Sequence, residues 1–176
     1  DLCERCRVPL TIERVVVPRG PQSSLEGEAR RVRYAALAQC AVAGDSRFVA
    51  LAHHRDDQAE TLLLQLLRGA GPHGLAAMSE RRDDPRGVTW WRPLLDVPRA
   101  RLRDYANAHG LKWIEDPAND TLAHDRNYLR AKILPLLRER WPHADAALAR
   151  SAALSAQAAE LLADDDAQTL ADARTD

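Results

Sequence analysis

A short apolar run that passes directly into a helical pattern is the feature that most constrains the fold. Residues 48–52, Phe-Val-Ala-Leu-Ala, form an unbroken run of the kind that is buried on both faces of a parallel sheet. A helix is predicted to begin at Asp56 or Asp57 and to reach Arg68, where Gly69 stands in the position of a C-cap glycine. A strand followed so closely by a helix is typical of βαβ units, and it predicts an open α/β sheet.

Other elements are predicted on both sides of this junction. β-rich composition predicts a strand over residues 9–17, and residues 88–92 are predicted to form an edge strand after an exposed polar loop. Apolar spacing and breaker residues predict helices at 25–43, 99–108, 126–137 (interrupted by Pro135) and 143–173.

Composition limits the class of protein. The net charge is −1, which does not by itself indicate a nucleic-acid-binding protein. Lys112 and Lys132 are the only lysines, and arginine favours bidentate contacts with phosphate, although a bias toward Ala and Arg gives the same composition. No run approaches the roughly 18 apolar residues of a membrane span, and no signal-peptide pattern opens the chain. A cytoplasmic protein without membrane contact is predicted.

The cysteines and the absence of common catalytic motifs limit the kinds of site that the sequence can form. Cys3 and Cys6 have the spacing of half a zinc knuckle, but no second pair of Cys or His follows at a suitable distance. Two thiols on one turn of a helix are the favoured interpretation. The chain has no Gly-x-Ser-x-Gly sequence and no Gly-x-x-x-x-Gly-Lys phosphate loop.

Two imidazoles and three carboxylates are concentrated within eight residues. His53 and His54 follow the predicted strand, and Asp56, Asp57 and Glu60 open the predicted helix. Open α/β sheets bind ligands at the carboxyl ends of their strands, and a helix N-terminus favours anions. Asp57 with Glu60 three residues later is close to a capping box, but a cap needs one acceptor and not a cluster. We therefore predict a functional site in this stretch.

Residue types alone leave the chemistry of the site open. Two histidines and two aspartates, His53, His54, Asp56 and Asp57, are suited to a metal-dependent phosphoesterase. That mechanism needs further ligands from other strand ends, whereas the remaining histidines each stand alone in turns or helices. No residue is assigned as a metal ligand, and the phosphoesterase stays an alternative.

Four motifs in a fixed order give a resemblance to a known family. They are Glu28–Tyr34, the run Ala52–Met78 (AHHRDDQAETLLLQLLRGAGPHGLAAM), Arg92–Leu95, and Trp113–Asn119 leading to Asp125–Arg130. Together they resemble the tRNA(Ile)-lysidine synthetase family of PP-loop ATPases. The family's ATP-binding sequence, Ser-Gly-Gly-x-Asp-Ser, does not occur in the chain.

The resemblance implies a fold and a domain organisation. The fold is α/β, a Rossmann-like open parallel sheet of the PP-loop (adenine nucleotide alpha hydrolase-like) type, truncated at its N-terminus and followed by a mostly helical extension. Residues 1–97 would form a partial catalytic domain, residues 98–142 its helical remainder, and residues 143–176 a linker helix toward a further C-terminal domain.

The resemblance also implies a reaction and its partners. The wobble cytidine of an isoleucine tRNA with a CAU anticodon would be converted to lysidine, with ATP, Mg²⁺ and free L-lysine as the other participants. O2 of the cytidine attacks the α-phosphate of ATP, and the ε-amine of lysine then displaces AMP. The chain by itself is expected to be inactive, and a homodimer is left open. The nearest enzymatic alternative is another PP-loop tRNA-modifying enzyme of the thiolase type.

Residue roles follow from the positions of the motifs. The resemblance implies catalytic roles for His54, Asp57, Glu60 and Arg33, and substrate or nucleotide binding by His53, Asp56, Arg68, Gly69, Arg126, Asn127 and Arg130. Arg33, Arg126 and Arg130 would stabilise negative charge on phosphate. His54, Asp57 and Glu60 would accept the lysine ammonium group and its proton.

Overall fold

The computed structural model describes residues 2–18, 25–115 and 121–172, with side chains described as far as residue 163. Its helices are α1 (Leu2–Cys6), α2 (Leu25–Ala43), α3 (Arg55–Leu67), α4 (Pro72–Leu75), α5 (Arg99–Ala108), α6 (Asp125–Tyr128), α7 (Leu134–Arg140) and α8 (Ala144–Asp172), and its strands are β1 (Phe48–Ala50), β2 (Arg81–Asp84) and β3 (Val88–Trp91). The chain divides into a first unit of residues 1–49 and 82–90 and a second unit of residues 50–81 and 91–176. The domain boundaries predicted after residues 97 and 142 differ from this division and stay predictions.

The described strands form one sheet in the order β1-β3-β2. The Thr89 N–H donates to the Arg47 carbonyl at 2.7 Å, and the Leu51 N–H donates to the Trp91 carbonyl at 2.7 Å. These bonds advance in the same direction along both strands, as they do in parallel pairing. β2 and β3 are joined by a tight hairpin, so the sheet is mixed.

The hairpin corrects two expectations about residues 79–92. β3 lies between β1 and β2, so it is not an edge strand of the described sheet. β2 occupies a segment that was predicted to be a loop. The Asp84 side chain accepts the Arg86 N–H at 3.0 Å, and Gly87 adopts a φ of 86°, so the polar run turns back onto β3.

Two expectations about apolar runs fail because their side chains are exposed: the strand predicted over residues 9–17, and the burial predicted for both faces of β1, which is itself present. Within the described part, residues 9–17 form no strand, and Ile12 and Val16 are 76% and 89% exposed. β-branched residues favour a strand only when neighbours pack on them and accept their hydrogen bonds. β1 is likewise not buried on both faces, because Phe48 is 53% exposed among the described residues.

Aromatic packing forms the core of the first unit. Trp90 is fully buried, and its ring lies 4.6 Å from that of Tyr34, in a tilted arrangement. Ala38 and Val88 are buried in the same unit. The Trp90 indole N–H donates to Asp84 Oδ2 at 2.9 Å, so the polar edge of the buried ring has an acceptor.

This indole bond should be visible in a titration of Asp84. The bond from Trp90, then the backbone N–H of Arg86, holds the pKa of the Asp84 carboxyl below its ordinary value of 3.8. A lowered pKa in the folded state means that the carboxylate adds stability above the unfolded pKa and loses it as the pH falls through the folded pKa. We expect Trp90→Phe to raise the pKa of Asp84, measured by NMR of the carboxyl carbon. The matched variant Trp91→Phe should leave that pKa unchanged.

The second unit is built around α3. The predicted helix is present, and Gly69 follows it with a φ of 73°, as a C-cap glycine requires. Ala59 and Leu62 face the core, where α4, α6 and α8 pack on α3. The expectation that its leucines are buried all round is wrong for the last turn, since Leu66 and Leu67 are 56% and 74% exposed.

The helix predicted around Pro135 is continuous, but part of it is π-helical and not α-helical. A π-helical segment, Leu129–Ile133, joins α6 to α7. Pro135 has no N–H to donate to the carbonyl of Ala131, and a π-helical turn accommodates that missing bond. Leu129 and Leu134 remain buried, so the irregular turn still faces the core. Part of the Trp113–Asn119 motif, residues 116–119, lies outside the described residues.

The two ends of the chain carry the remaining predicted elements. α8 matches the long helix predicted for residues 143–173, and Ala152 and Ala159 are its buried contact residues. Their small side chains allow close approach to the helices beside it. Cys3 and Cys6 lie on α1 as free thiols. None of the helices in the described ranges is long and apolar enough to cross a membrane.

Candidate functional site

The histidine-carboxylate stretch lies where β1 gives way to α3. His54 is the N-cap residue of α3, with φ −130° and ψ 178°. Asp57, at the third helical position, accepts the backbone N–H of His54 at 3.0 Å. The capping pair is therefore His54 with Asp57, and not Asp57 with Glu60 as the sequence suggested. This releases Glu60 from any capping role.

Glu60 is fully buried and is held by arginines. Arg130 donates from Nε to Oε1 at 2.7 Å and from Nη2 to Oε2 at 2.9 Å, a bidentate contact. Arg126 Nε lies 3.5 Å from Oε2, and its Nη2 donates to the Thr61 hydroxyl at 2.8 Å. Both carboxylate oxygens are thus occupied in a site closed to water. This geometry does not favour Glu60 as an acceptor for lysine, and instead makes it the residue that orients the two arginines.

Asp57 lies beside this pair and is less completely occupied. Its Oδ1 is 3.5 Å from Arg130 Nη2, which is an ionic contact longer than a good hydrogen bond. Its Oδ2 lies 3.4 Å from Nδ1 of His54. The Asp57 and His54 side chains are 13% and 15% exposed. A carboxylate and an imidazole therefore stand together at the start of α3 with limited access to solvent.

Asp56 points to different partners from its neighbour. Its Oδ1 accepts the backbone N–H of Arg99 at 2.9 Å, and its Oδ2 accepts from Arg138 Nη2 at 2.8 Å. Arg138 also makes a bidentate contact with Asp145, from Nε at 2.7 Å and from Nη2 at 2.9 Å. Both oxygens of Asp56 are engaged by the protein itself, so it does not present a free group for a nucleotide.

Neighbouring carboxylates stabilise the charged forms of Arg130 and Arg138. The bidentate bond to Glu60 is the main cause that raises the pKa of Arg130, and the charges of Asp57 and Asp56 add to it. The bond to Asp145 is the main cause that raises the pKa of Arg138. Both guanidinium groups therefore stay protonated at any pH at which the protein is folded.

The structure brings several of the predicted site residues together within the second unit. His54, Asp57, Glu60, Arg126 and Arg130 form one cluster. Arg33 lies on α2 in the first unit, where it is exposed.

The remaining predicted residues lie near α3 or α6. Arg68 and Gly69 follow the C-terminal end of α3, about 16 Å along the helix axis from Asp57 at 1.5 Å per residue. Asn127 donates to the Thr121 carbonyl at 2.9 Å, and His53 precedes the N-cap as a half-buried residue. Arg68 and Gly69 are thus not part of the cluster.

Three residues that contact the cluster or Asp56 and its partners are absent from the sequence prediction. Thr61 links the arginines to α3, because its hydroxyl accepts from Arg126 and donates to the Asp57 carbonyl at 2.7 Å. Arg138 donates to Asp56, and Asp145 accepts from Arg138. The sequence spacing gives one indication of Arg138. It follows Arg130 by eight residues, which is twice the interval of four between Arg126 and Arg130. Nothing in the sequence pattern singles out Thr61 or Asp145.

The described carboxylates are not arranged to hold a metal. No group of three His, Cys, Asp or Glu side chains within the described ranges is placed around a common point. The oxygens of Asp56 and Glu60 already accept hydrogen bonds from arginines and from a backbone N–H, so these carboxylates are occupied by protein donors. The phosphoesterase alternative is not supported by this geometry.

Comparison with known proteins places the chain in a family. The PP-loop domain family matches residues 1–137. The chain is 55% identical over 164 residues to a tRNA(Ile)-lysidine synthase from Xanthomonas axonopodis pv. citri, which covers 93% of this chain and 37% of that protein. It is 49% identical over 161 residues to a tRNA(Ile)-lysidine synthase from Chromobacterium violaceum, covering 92% of this chain and 36% of that protein. The chain spans a little over a third of the length of these curated relatives.

A solved structure supports the same fold at lower sequence identity. The U34-tRNA thiolase NcsA from Methanococcus maripaludis matches with a TM-score of 0.65 and 18% identity, over 85% of this chain and 52% of that one. At this identity the likeness concerns the fold alone, and it agrees with the predicted PP-loop type of α/β fold. With the family match covering residues 1–137 of 176, the chain belongs to the PP-loop domain family.

Proposed function

We propose that the chain forms part of the catalytic region of a tRNA(Ile)-lysidine synthase. The proposal is carried by about 50% identity to relatives of that name over more than nine-tenths of the chain. The reaction would convert the wobble cytidine of an isoleucine tRNA with a CAU anticodon to lysidine, in the cytoplasm. O2 of the base bonds to the α-phosphate of ATP and releases pyrophosphate, and the lysine ε-amine then displaces AMP and loses a proton.

The geometry supports a division of labour within the cluster. The side chains of Arg126 and Arg130 are 35% and 29% exposed, so both remain partly accessible, and arginine is suited to bind phosphate. Asp57 and His54 are the remaining candidates for binding the lysine ammonium group and accepting its proton. Glu60 would act through the arginines as a positioning residue.

The described residues are better suited to bind the phosphates of ATP than to bind Mg²⁺. The arginines suit the phosphates of ATP, but the sequence contains no Ser-Gly-Gly-x-Asp-Ser loop. The carboxylates of Asp56 and Glu60 are already bound by protein donors, so the cluster does not suit Mg²⁺. We therefore propose ATP as a substrate and assign no magnesium ligand in this chain. The homodimer left open by the resemblance stays a prediction.

A chimeric enzyme tests the proposal directly. The matching 164-residue segment of the Xanthomonas axonopodis pv. citri protein would be replaced by the corresponding segment of this chain. We expect the chimera to transfer labelled lysine to a tRNA(Ile) transcript within about tenfold of the parent rate, since tenfold corresponds to only about 1.4 kcal/mol of activation free energy. A transcript with uridine at the wobble position and the chain alone should both give no product. A folded chimera that transfers no lysine would overturn the proposal.

The thiolase alternative receives no comparable support. The structural likeness to NcsA shows a shared fold, and the relatives named tRNA(Ile)-lysidine synthase are far more similar in sequence. The arginine–carboxylate cluster consists of His54, Asp57, Glu60, Arg126 and Arg130 and contains no cysteine. We therefore do not assign sulfur chemistry to this chain.

A further inference from the structure

Asp56 belongs to a separate set of contacts that joins several helices. Its two oxygens bind the first backbone N–H of α5, at Arg99, and the side chain of Arg138 on α7. Arg138 in turn holds both oxygens of Asp145, in the first turn of α8. Asp56 and Arg138 are 82 residues apart in the chain, so these contacts connect elements that the sequence keeps distant.

The burial and the geometry of these contacts distinguish them from ordinary surface ion pairs. The side chains of Asp56, Arg138 and Asp145 are 17%, 35% and 21% exposed. A guanidinium group is rigid and planar, so its bidentate bond to Asp145 fixes the direction in which the remaining Nη2 proton points toward Asp56. Asp56 is adjacent to Asp57 on the first turn of α3. A shift of Arg138 therefore acts on the turn that carries the candidate site.

We propose that Arg138 and Asp145 form a positioning relay that couples the start of α8 to Asp56, and through Asp56 to the first turn of α3. Asp56 is then a positioning residue, and not a nucleotide-binding one. The relay holds the α3 N-terminus through Asp56, whose Oδ1 lies 3.9 Å from His54 Nδ1, so that His54 and Asp57 keep their mutual geometry. Its catalytic consequence rests on the proposed function, whereas the coupling itself does not.

One backbone amide reports the relay without any assay of activity. The Arg99 N–H is at the first position of α5, where a helix offers no acceptor of its own, so Asp56 alone protects it. Asp145→Asn changes a residue that does not touch Asp56 or Arg99. We expect this substitution to speed hydrogen exchange at the Arg99 amide roughly tenfold, measured by NMR on the chain, because Arg138 loses the partner that fixes it.

Two further variants define the relay. Arg138→Gln should speed exchange at Arg99 at least as much as Asp145→Asn does. Arg138→Lys keeps the positive charge but loses the planar pair of guanidinium donors. It should therefore protect the Arg99 amide better than Arg138→Gln does, but less well than arginine. Arg103→Gln is the matched control, because it breaks the exposed pair of Arg103 with Glu115 and should leave the Arg99 amide unchanged. Unchanged exchange at Arg99 in both Asp145→Asn and Arg138→Gln overturns the relay.

The same substitutions in the chimera test the link to catalysis. Asp145→Asn should lower kcat for lysine transfer roughly tenfold while KM for ATP stays within about twofold, as a misplacement of reacting groups predicts. Arg138→Lys should recover part of kcat, and Arg103→Gln should lose none. An inactive unsubstituted chimera counts against the proposed function and leaves the exchange result to decide the relay. If the chimera is active and Asp145→Asn leaves its kcat unchanged, the coupling does not position the reacting groups.

Discussion

Replacing Arg130 with methionine should lower the free energy of unfolding of the chain by about 3–5 kcal/mol, because it leaves the fully buried Glu60 carboxylate without its bidentate partner. Methionine keeps much of the apolar volume of the arginine stem, so the loss comes mainly from the uncompensated charge. Arg126 remains 3.5 Å from Glu60 and should keep the loss near the lower end of this range. Urea unfolding followed by circular dichroism measures the change.

Two comparisons separate a buried charge from a general packing defect. The double variant Glu60→Leu with Arg130→Met removes both charges, and replacing a buried ion pair with apolar residues is often neutral or stabilising. It should therefore recover most of the lost stability. Arg103→Met breaks an exposed ion pair and should cost less than about 1 kcal/mol. Equal losses in the single and double variants would show that Glu60 does not depend on Arg130 for its stability.

The local parts of the fold could be predicted from the sequence. The passage from β1 to α3 rests on an apolar run, a polar helix start and a glycine at residue 69, all of which are local signals. The strand predicted over residues 9–17 fails within the described part because its formation depends on a neighbour, which no local pattern specifies. The sequence pattern does not predict β2, because its residues are charged and resemble an exposed loop. The turn that makes β2 pair with β3 depends on Asp84 and Gly87.

The sequence groups several residues that the structure brings together, whereas their roles in a reaction stay predictions. Arg126 and Arg130 were grouped because they are four residues apart on a helix, and the structure places them together against Glu60. The sequence does not show that Glu60 is fully buried or that Asp56 accepts from Arg99 and Arg138. Those facts depend on contacts across 70 and 82 residues of chain. The motifs that carry the family resemblance therefore bring these residues to attention, whereas their burial and their partners come from contacts between distant parts of the chain.

Replacing Asp57 with asparagine in the chimera should lower lysine transfer by at least about 100-fold, within the range expected for loss of an acid–base group. Asparagine keeps a side-chain oxygen that can accept the backbone N–H of His54. The folded structure should therefore survive, with a loss of about 1–2 kcal/mol for the weakened contact with Arg130. What disappears is the negative charge that would hold the lysine ammonium group beside His54.

The two steps of the proposed reaction make this variant informative. Formation of the adenylated base releases pyrophosphate before lysine reacts, so pyrophosphate release should persist in Asp57→Asn while lysine transfer fails. Asp96→Asn is the matched control, because the Asp96 side chain is 94% exposed and lies outside the cluster. Unchanged lysine transfer would exclude Asp57 from the reaction. Equal loss of both steps would assign Asp57 to adenylation, through its contact with Arg130, and would leave His54 as the group that receives the lysine proton.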